Sequence, residues 1–151
     1  MGITSNLKKL PSLVLGVAEV KPIDMATAYL SIANGGFAAW PYSITEIYTK
    51  SGEPLYVRHQ SDSVRILDAK TVKNITQMLE NVVLNGTGKA AKLPFFVAGK
   101  TGTSQDFRDA WFVGFTSKYV AVVWVGNDDN SPMNNISGGS LPARIFKKIM
   151  I

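Results

Sequence analysis

Apolar residues along the chain recur with two different periods. Between Pro22 and Ala33, residues Ile23, Met25, Ala26, Tyr29, Ile32 and Ala33 fall at helical spacing. Asn34-Gly35-Gly36 supplies the stop, because glycine takes the left-handed conformation without penalty. Val72, Ile75, Met78, Leu79, Val82 and Val83 form a second helical stripe, running to about Leu84 behind an N-cap at Asp68. A third helix is expected after Ser140, which would cap it. Pro142 lies in its first turn, with Leu141, Ile145, Phe146 and Ile149 inward and Arg144, Lys147 and Lys148 outward. The remaining apolar runs are strand-like. Ile44 to Thr49 and Leu55 to Arg58 read as a hairpin turned at Lys50-Ser51-Gly52-Glu53. Asp109 to Phe115 and Tyr119 to Val125 read as a second hairpin, turned at Thr116-Ser117-Lys118. These two strands are apolar on nearly every residue, so their sheet should be covered on both faces. Residues 1 to 20 are irregular. Helices before and after closely spaced strands predict an α+β domain.

Composition narrows the chemistry. At 151 residues, 46% of them hydrophobic, the chain can bury the core of one domain. The absence of cysteine removes disulfides, thiolate metal sites and thiol nucleophiles. The single histidine, His59, cannot build a multi-histidine metal centre and reads as a surface residue beyond the first hairpin. The net charge of +5 comes from scattered basic residues, with no arginine-rich or basic-aromatic stretch that would argue for nucleic acid. The longest apolar run, Tyr119 to Gly126, is far below the ~20 residues of a spanning helix. Lys8-Lys9 followed by Leu10 to Ala18 superficially resembles a signal peptide. Pro11, Glu19 and Lys21 spoil it, so the stretch reads as mature sequence with neither signal nor anchor. Asn127 to Pro132 is acidic enough to suggest calcium but lacks the spacing of an EF-hand loop, and a solvated turn is expected.

The stretch with chemical content is Val97-Ala98-Gly99-Lys100-Thr101-Gly102-Thr103-Ser104. On a strand, side chains alternate faces. Thr101 and Thr103 should therefore point the same way, with Lys100 opposite or curled round the edge. Gly99 and Gly102 leave room for another backbone or a ligand. Hydroxyls, strand amides and one ammonium together suit an anionic, peptide-like ligand. A glycine-bearing edge strand without a ligand is the plainer reading. A P-loop would need glycine where Pro94 stands, and a helix after Lys100-Thr101.

With these features in order, the chain resembles the C-terminal portion of the transpeptidase domain of class A penicillin-binding proteins. The resemblance is carried by Pro11 to Gly16, Met25-Ala26 with Ala28-Tyr29, Ala33 to Gly36, Gly86-Thr87-Gly88, Ala98 to Thr103, Asp109 to Gly114, Trp124-Val125-Gly126, and Gly138-Gly139 with Pro142-Ala143. It implies residues 1–151 as the C-terminal part of one such domain, with a partial β-lactamase/transpeptidase-like fold. An antiparallel sheet, made of the K-T-G strand and the following hairpin, would pack with helices. The implied parent activity is peptidoglycan D,D-transpeptidation by serine acyl transfer, on the outer side of the cytoplasmic membrane, without cofactor or metal. A stem peptide would be the substrate and β-lactams the acylating inhibitors. β-Lactamases share K-T-G, but the flanking motifs favour the transpeptidase. Carried over by position, Lys100 places charge beside the S-x-N serine and the substrate carboxylate. Thr101 and Thr103 offer hydroxyls to that carboxylate, and Gly102 lets the acyl group approach. The Thr103 backbone N–H is the second oxyanion donor, a role worth about 3–4 kcal/mol.

The departure is in the rest of the site. The family builds it from S-x-x-K, S-x-N and K-T-G. No S-x-N occurs here, and the one S-x-x-K, Ser5-Asn6-Leu7-Lys8, stands immediately before the stretch resembling residues 11 to 36, where no nucleophile helix fits. The expectation is half an active site without a nucleophile, inactive alone. The N-terminal strands and serine-bearing helix would be missing, leaving a free sheet edge and an uncovered apolar face prone to self-association or element swapping. A non-catalytic self-associating chain is the competing expectation.

Overall fold

A computed structural model describes residues 1–59 and 64–151. The elements are α1 (Pro22–Ala33), β1 (Glu46–Tyr48), β2 (Pro54–Val57), α2 (Ala69–Leu84), β3 (Ala98–Thr103), β4 (Asp109–Phe115), β5 (Val120–Gly126) and α3 (Leu141–Met150). Strands β3, β4 and β5 form an antiparallel sheet in that order, and β1 and β2 a separate hairpin. Both are built as the periodicity predicts. Short 3-10 turns at Pro11–Leu15, Lys89–Ala91 and Gln105–Phe107 fall where the pattern predicts irregular chain.

The pairings Thr101↔Phe112↔Val123 and Lys100↔Val113↔Val122 fix which residues share a face of the main sheet. One face, the threonine face, carries Gly99, Thr101 and Thr103 with Ala110, Phe112, Gly114 and Val123. The other, the lysine face, carries Ala98, Lys100 and Gly102 with Trp111, Val113, Phe115 and Trp124. Helix α3 packs on the threonine face. Phe146 and Phe112 are fully buried there with ring centroids 4.9 Å apart, in a cluster that includes Val83, Val97 and Ala143. Burial of each large apolar side chain contributes about 1.5–3 kcal/mol. The lysine face is covered at its Ala98–Phe115 end by Ile32 of α1 and Leu79 of α2. At its other end Trp111 is half-buried and Trp124 is exposed. The sheet is therefore covered on both faces at one end only.

Helix capping follows the sequence in part. Asp68 accepts from the Thr71 N–H at 2.9 Å, and Gly35 and Gly36 take φ 68° and 92° behind α1. Ser140 does not cap α3. Its Oγ donates back to the Ser137 carbonyl and accepts from the Ser137 N–H, closing a tight turn instead. The buried faces also differ from the pattern. On α1 the buried residues are Asp24, Thr27, Ala28, Ser31 and Ile32, while Ile23 is exposed. The polar members are satisfied in place, since the Thr27 and Ser31 hydroxyls donate to the Ile23 and Thr27 carbonyls. Met78, Leu141 and Ile149 are exposed, and α3 instead turns Pro142, Ala143 and Phe146 inward. Exposed apolar residues are common because hydrophobicity predicts burial in one direction only.

Candidate active site

Strand β3 lies at one edge of the sheet, and its sequence is Ala98-Gly99-Lys100-Thr101-Gly102-Thr103. The Ser104 N–H donates to the Asp109 carbonyl on β4 at 2.9 Å. Successive strand amides alternate in direction. The Thr103 and Thr101 N–H groups therefore point to the opposite edge, where no strand pairs among the described residues. Bulk is excluded beneath this edge as well. A Cβ on Gly99 would come within 2.7 Å of the Phe112 ring, and one on Gly102 within 3.3 Å of Trp111 Cβ.

The side chains of β3 divide as alternation requires. The exposed Lys100 curls back so that its Nζ donates to the Thr101 carbonyl at 2.8 Å. Below it on the lysine face, Trp111 and Trp124 pack with ring centroids 6.3 Å apart, and Trp124 Nε1 donates to Asp109 Oδ1 at 2.9 Å. On the threonine face Thr101 Oγ1 lies 2.6 Å from Thr87 Oγ1, and Thr103 Oγ1 accepts from the Gly138 N–H at 3.0 Å. Gly138 is pressed so closely on the sheet that a Cβ there would collide with the Gly102 and Trp111 carbonyls. Thr87 and Gly138 lie inside stretches the sequence singles out, yet their contacts with the threonines have no sequence signal. One is a loop hydroxyl and the other a backbone amide, and neither leaves a spacing that could be read.

Ser5 sits elsewhere. Its Oγ donates to Asp24 Oδ2 at 2.5 Å and accepts from the Lys21 N–H at 3.2 Å, in irregular chain tied to the start of α1. Thr4 Oγ1 and the Ser5 N–H also donate to the buried Asp24, at 3.0 and 2.9 Å. These donors favour the carboxylate, chiefly the Ser5 hydroxyl, and hold the Asp24 pKa down at about 2. His59 is exposed, as expected of a surface residue. In the Asn127–Pro132 loop, Asn127 Nδ2 donates to Ser131 and the Ser131 N–H to Asp129, a polar turn that Arg108 Nη1 also braces by donating to the Asn130 carbonyl. Among the described residues, no helix is long and apolar enough to cross a membrane.

Residues 7–151 match the family described as penicillin binding protein transpeptidase domain. The chain is 40% identical over 136 residues to penicillin-binding protein 1A of Aquifex aeolicus, covering 89% of this chain and 19% of that protein. It is 36% identical over 159 residues to penicillin-binding protein 2D of Bacillus subtilis, covering 99% and 22%. The chain thus spans about a fifth of the length of these curated relatives. Among solved structures, it is similar to the PonA1 protein from Mycobacterium tuberculosis in complex with penicillin V. The TM-score is 0.87 at 27% identity, over 99% of this chain and 46% of that one. The α+β fold, the K-T-G strand and the sequence match agree, and the chain belongs to the penicillin-binding protein transpeptidase family.

Proposed function

We propose that this chain supplies the K-T-G wall of a peptidoglycan D,D-transpeptidase site and does not turn over by itself. The observation that carries the reading is the open edge of β3, with Lys100 on one side and Thr101 and Thr103 on the other. A D-Ala-D-Ala donor peptide, or a β-lactam in its place, lies along that edge. The Thr101 and Thr103 hydroxyls hold its carboxylate, and Lys100 adds positive charge near the reacting centre. Gly102 gives the acyl group clearance above Trp111. The Thr103 N–H, unpaired among the described residues, serves as one oxyanion donor. The second donor and the nucleophilic serine come from sequence other than these 151 residues, because S-x-N is absent and Ser5 is engaged with Asp24. The parent reaction takes place outside the cytoplasmic membrane on an anchored protein, by acylation of a serine and transfer to an amine.

The test is intact mass after incubation with a reactive penicillin. The folded chain should show no adduct. A single stoichiometric adduct, lost when the chain is denatured first, would overturn the reading and make Ser5 the first residue to substitute.

A second reading, self-association without ligand binding, is favoured by the exposed Trp124 beside Trp111 and by the unpaired outer edge of β5 among the described residues. Sedimentation decides it. Self-association should grow with concentration and be suppressed by Trp124→Lys, whereas a monomer at every concentration would eliminate it.

A further inference from the structure

We infer that Thr87 is a positioning residue for Thr101, turning that hydroxyl into an outward hydrogen-bond donor for a carboxylate; the inference rests on the carboxylate recognition proposed above. A hydroxyl has one proton and two acceptor lone pairs, and an ionised carboxylate offers only acceptors. Thr101 and Thr103 therefore help a carboxylate only when their protons face it. Both have a hydrogen-bonding partner on the threonine face. The Gly138 N–H donates to Thr103 Oγ1 at 3.0 Å, occupying an acceptor site and leaving the Thr103 proton free. Thr87 Oγ1 stands 2.6 Å from Thr101 Oγ1, where it can do the same for Thr101. In this pair one proton bridges the two oxygens and the other is left over. An arriving anion selects the arrangement in which Thr87 donates to Thr101 and Thr101 donates outward. A hydroxyl that accepts a hydrogen bond is also polarised into a stronger donor.

The loop is built to hold Thr87 there. The Gly86 and Gly88 N–H groups donate to the Asn81 and Val82 carbonyls at 3.0 and 2.9 Å, fastening the loop to the end of α2. The Thr87 carbonyl lies against Gly139, where a Cβ would collide with it. One turn, residues 137–140, thus touches both arrangements: Gly138 at Thr103 and Gly139 at Thr87.

The test compares the full chain with Thr87→Val, which removes the hydroxyl at nearly constant shape, and Thr87→Ser, which restores it. Three-bond NMR couplings at Thr101 report its side-chain rotamer without any ligand. A single rotamer is expected in the parent chain and in Thr87→Ser, and rotamer averaging in Thr87→Val. A single Thr101 rotamer in Thr87→Val would overturn the inference. Titration with a short acyl-D-Ala-D-Ala peptide and with its C-terminal amide, followed at the amides of residues 99–104, gives the second readout. Thr87→Val should bind the acid about threefold to tenfold more weakly and the amide unchanged, with Thr87→Ser like the parent. Equal weakening for acid and amide would mean a merely structural role and would also overturn it. A parent chain that does not prefer acid to amide would overturn the carboxylate reading, and the couplings would still decide the positioning.

Discussion

The two faces of the main sheet are built to different degrees. On the threonine face, α3, the 86–88 loop and the 137–140 turn close over the strands, and Phe112 and Phe146 have no solvent exposure. On the lysine face, α1 and α2 cover only the Ala98–Phe115 end. Lys100, Trp111 and Trp124 stand beyond it, with Trp124 40% exposed. The threonine hydroxyls are engaged by Thr87 and the Gly138 N–H, whereas the hydrogen-bond partner of Lys100 among the described residues is the carbonyl of its own strand neighbour. A finished threonine side and an unfinished lysine side are what a K-T-G wall would look like if the groups that Lys100 serves come from elsewhere.

Deleting one aromatic from each face gives the largest contrast. Phe146→Ala should cost about 3–5 kcal/mol, because it empties a sealed site against Phe112. Against the ~5–15 kcal/mol total of an ordinary domain, that loss should be plain in urea unfolding. Trp124→Ala should cost clearly less, about 1–2 kcal/mol, since the ring is partly in water already and gives up one contact with Trp111 and one hydrogen bond to Asp109. Equal losses would mean that the lysine face is as closed as the other. Gly138→Ala should fall between the two. Its new methyl meets the backbone carbonyls of Gly102 and Trp111, and overpacking of that kind costs about 1–3 kcal/mol. It should also shift the amide signals of residues 101–103, which Trp124→Ala should leave in place on the threonine side.

The same contrast separates what is legible in the sequence from what is not. Strands β4 and β5 were legible because both are apolar at nearly every position, and the predicted limits agree to within a residue, although full cover on both faces extends over one end of the sheet only. Helix limits were legible from Pro22, Gly35-Gly36 and Asp68, each of which has a local stereochemical reason. Side-chain facing was less so. The buried stripe of α1 contains Asp24, Thr27 and Ser31, whose partners lie in residues 4–5 or in the preceding helical turn. Hydropathy sees those residues as polar and turns the helix to bury Ile23 instead. Lys100, Thr101 and Thr103 were legible as a motif, whereas the Thr87 and Gly138 contacts depend on tertiary proximity across 14 and 35 residues. Local sequence rules cannot encode such distances.

Asp24 gives the last and smallest test, because it ties the N-terminal arm to α1, a helix that covers the lysine face. Its folded pKa, about 2, lies below the ordinary carboxylate value of 3.8. A depressed carboxyl pKa contributes stability that is fully present above the unfolded value and lost as pH falls through the folded one. The contribution should therefore fade between about pH 4 and pH 2. Asp68 and Asp129 are lowered as well, by the Thr71 and Ser131 side chains, so the parent's acid profile is a composite. The difference between the parent and Asp24→Asn isolates one carboxylate. Asp24→Asn should be less stable at neutral pH, and the gap should close toward pH 2. Hydrogen exchange should show the loosening at Ser5 and the first turn of α1, with α3 and β4 protected as before. A gap that stays constant across that range would mean that the Asp24 latch holds the arm by shape rather than by charge.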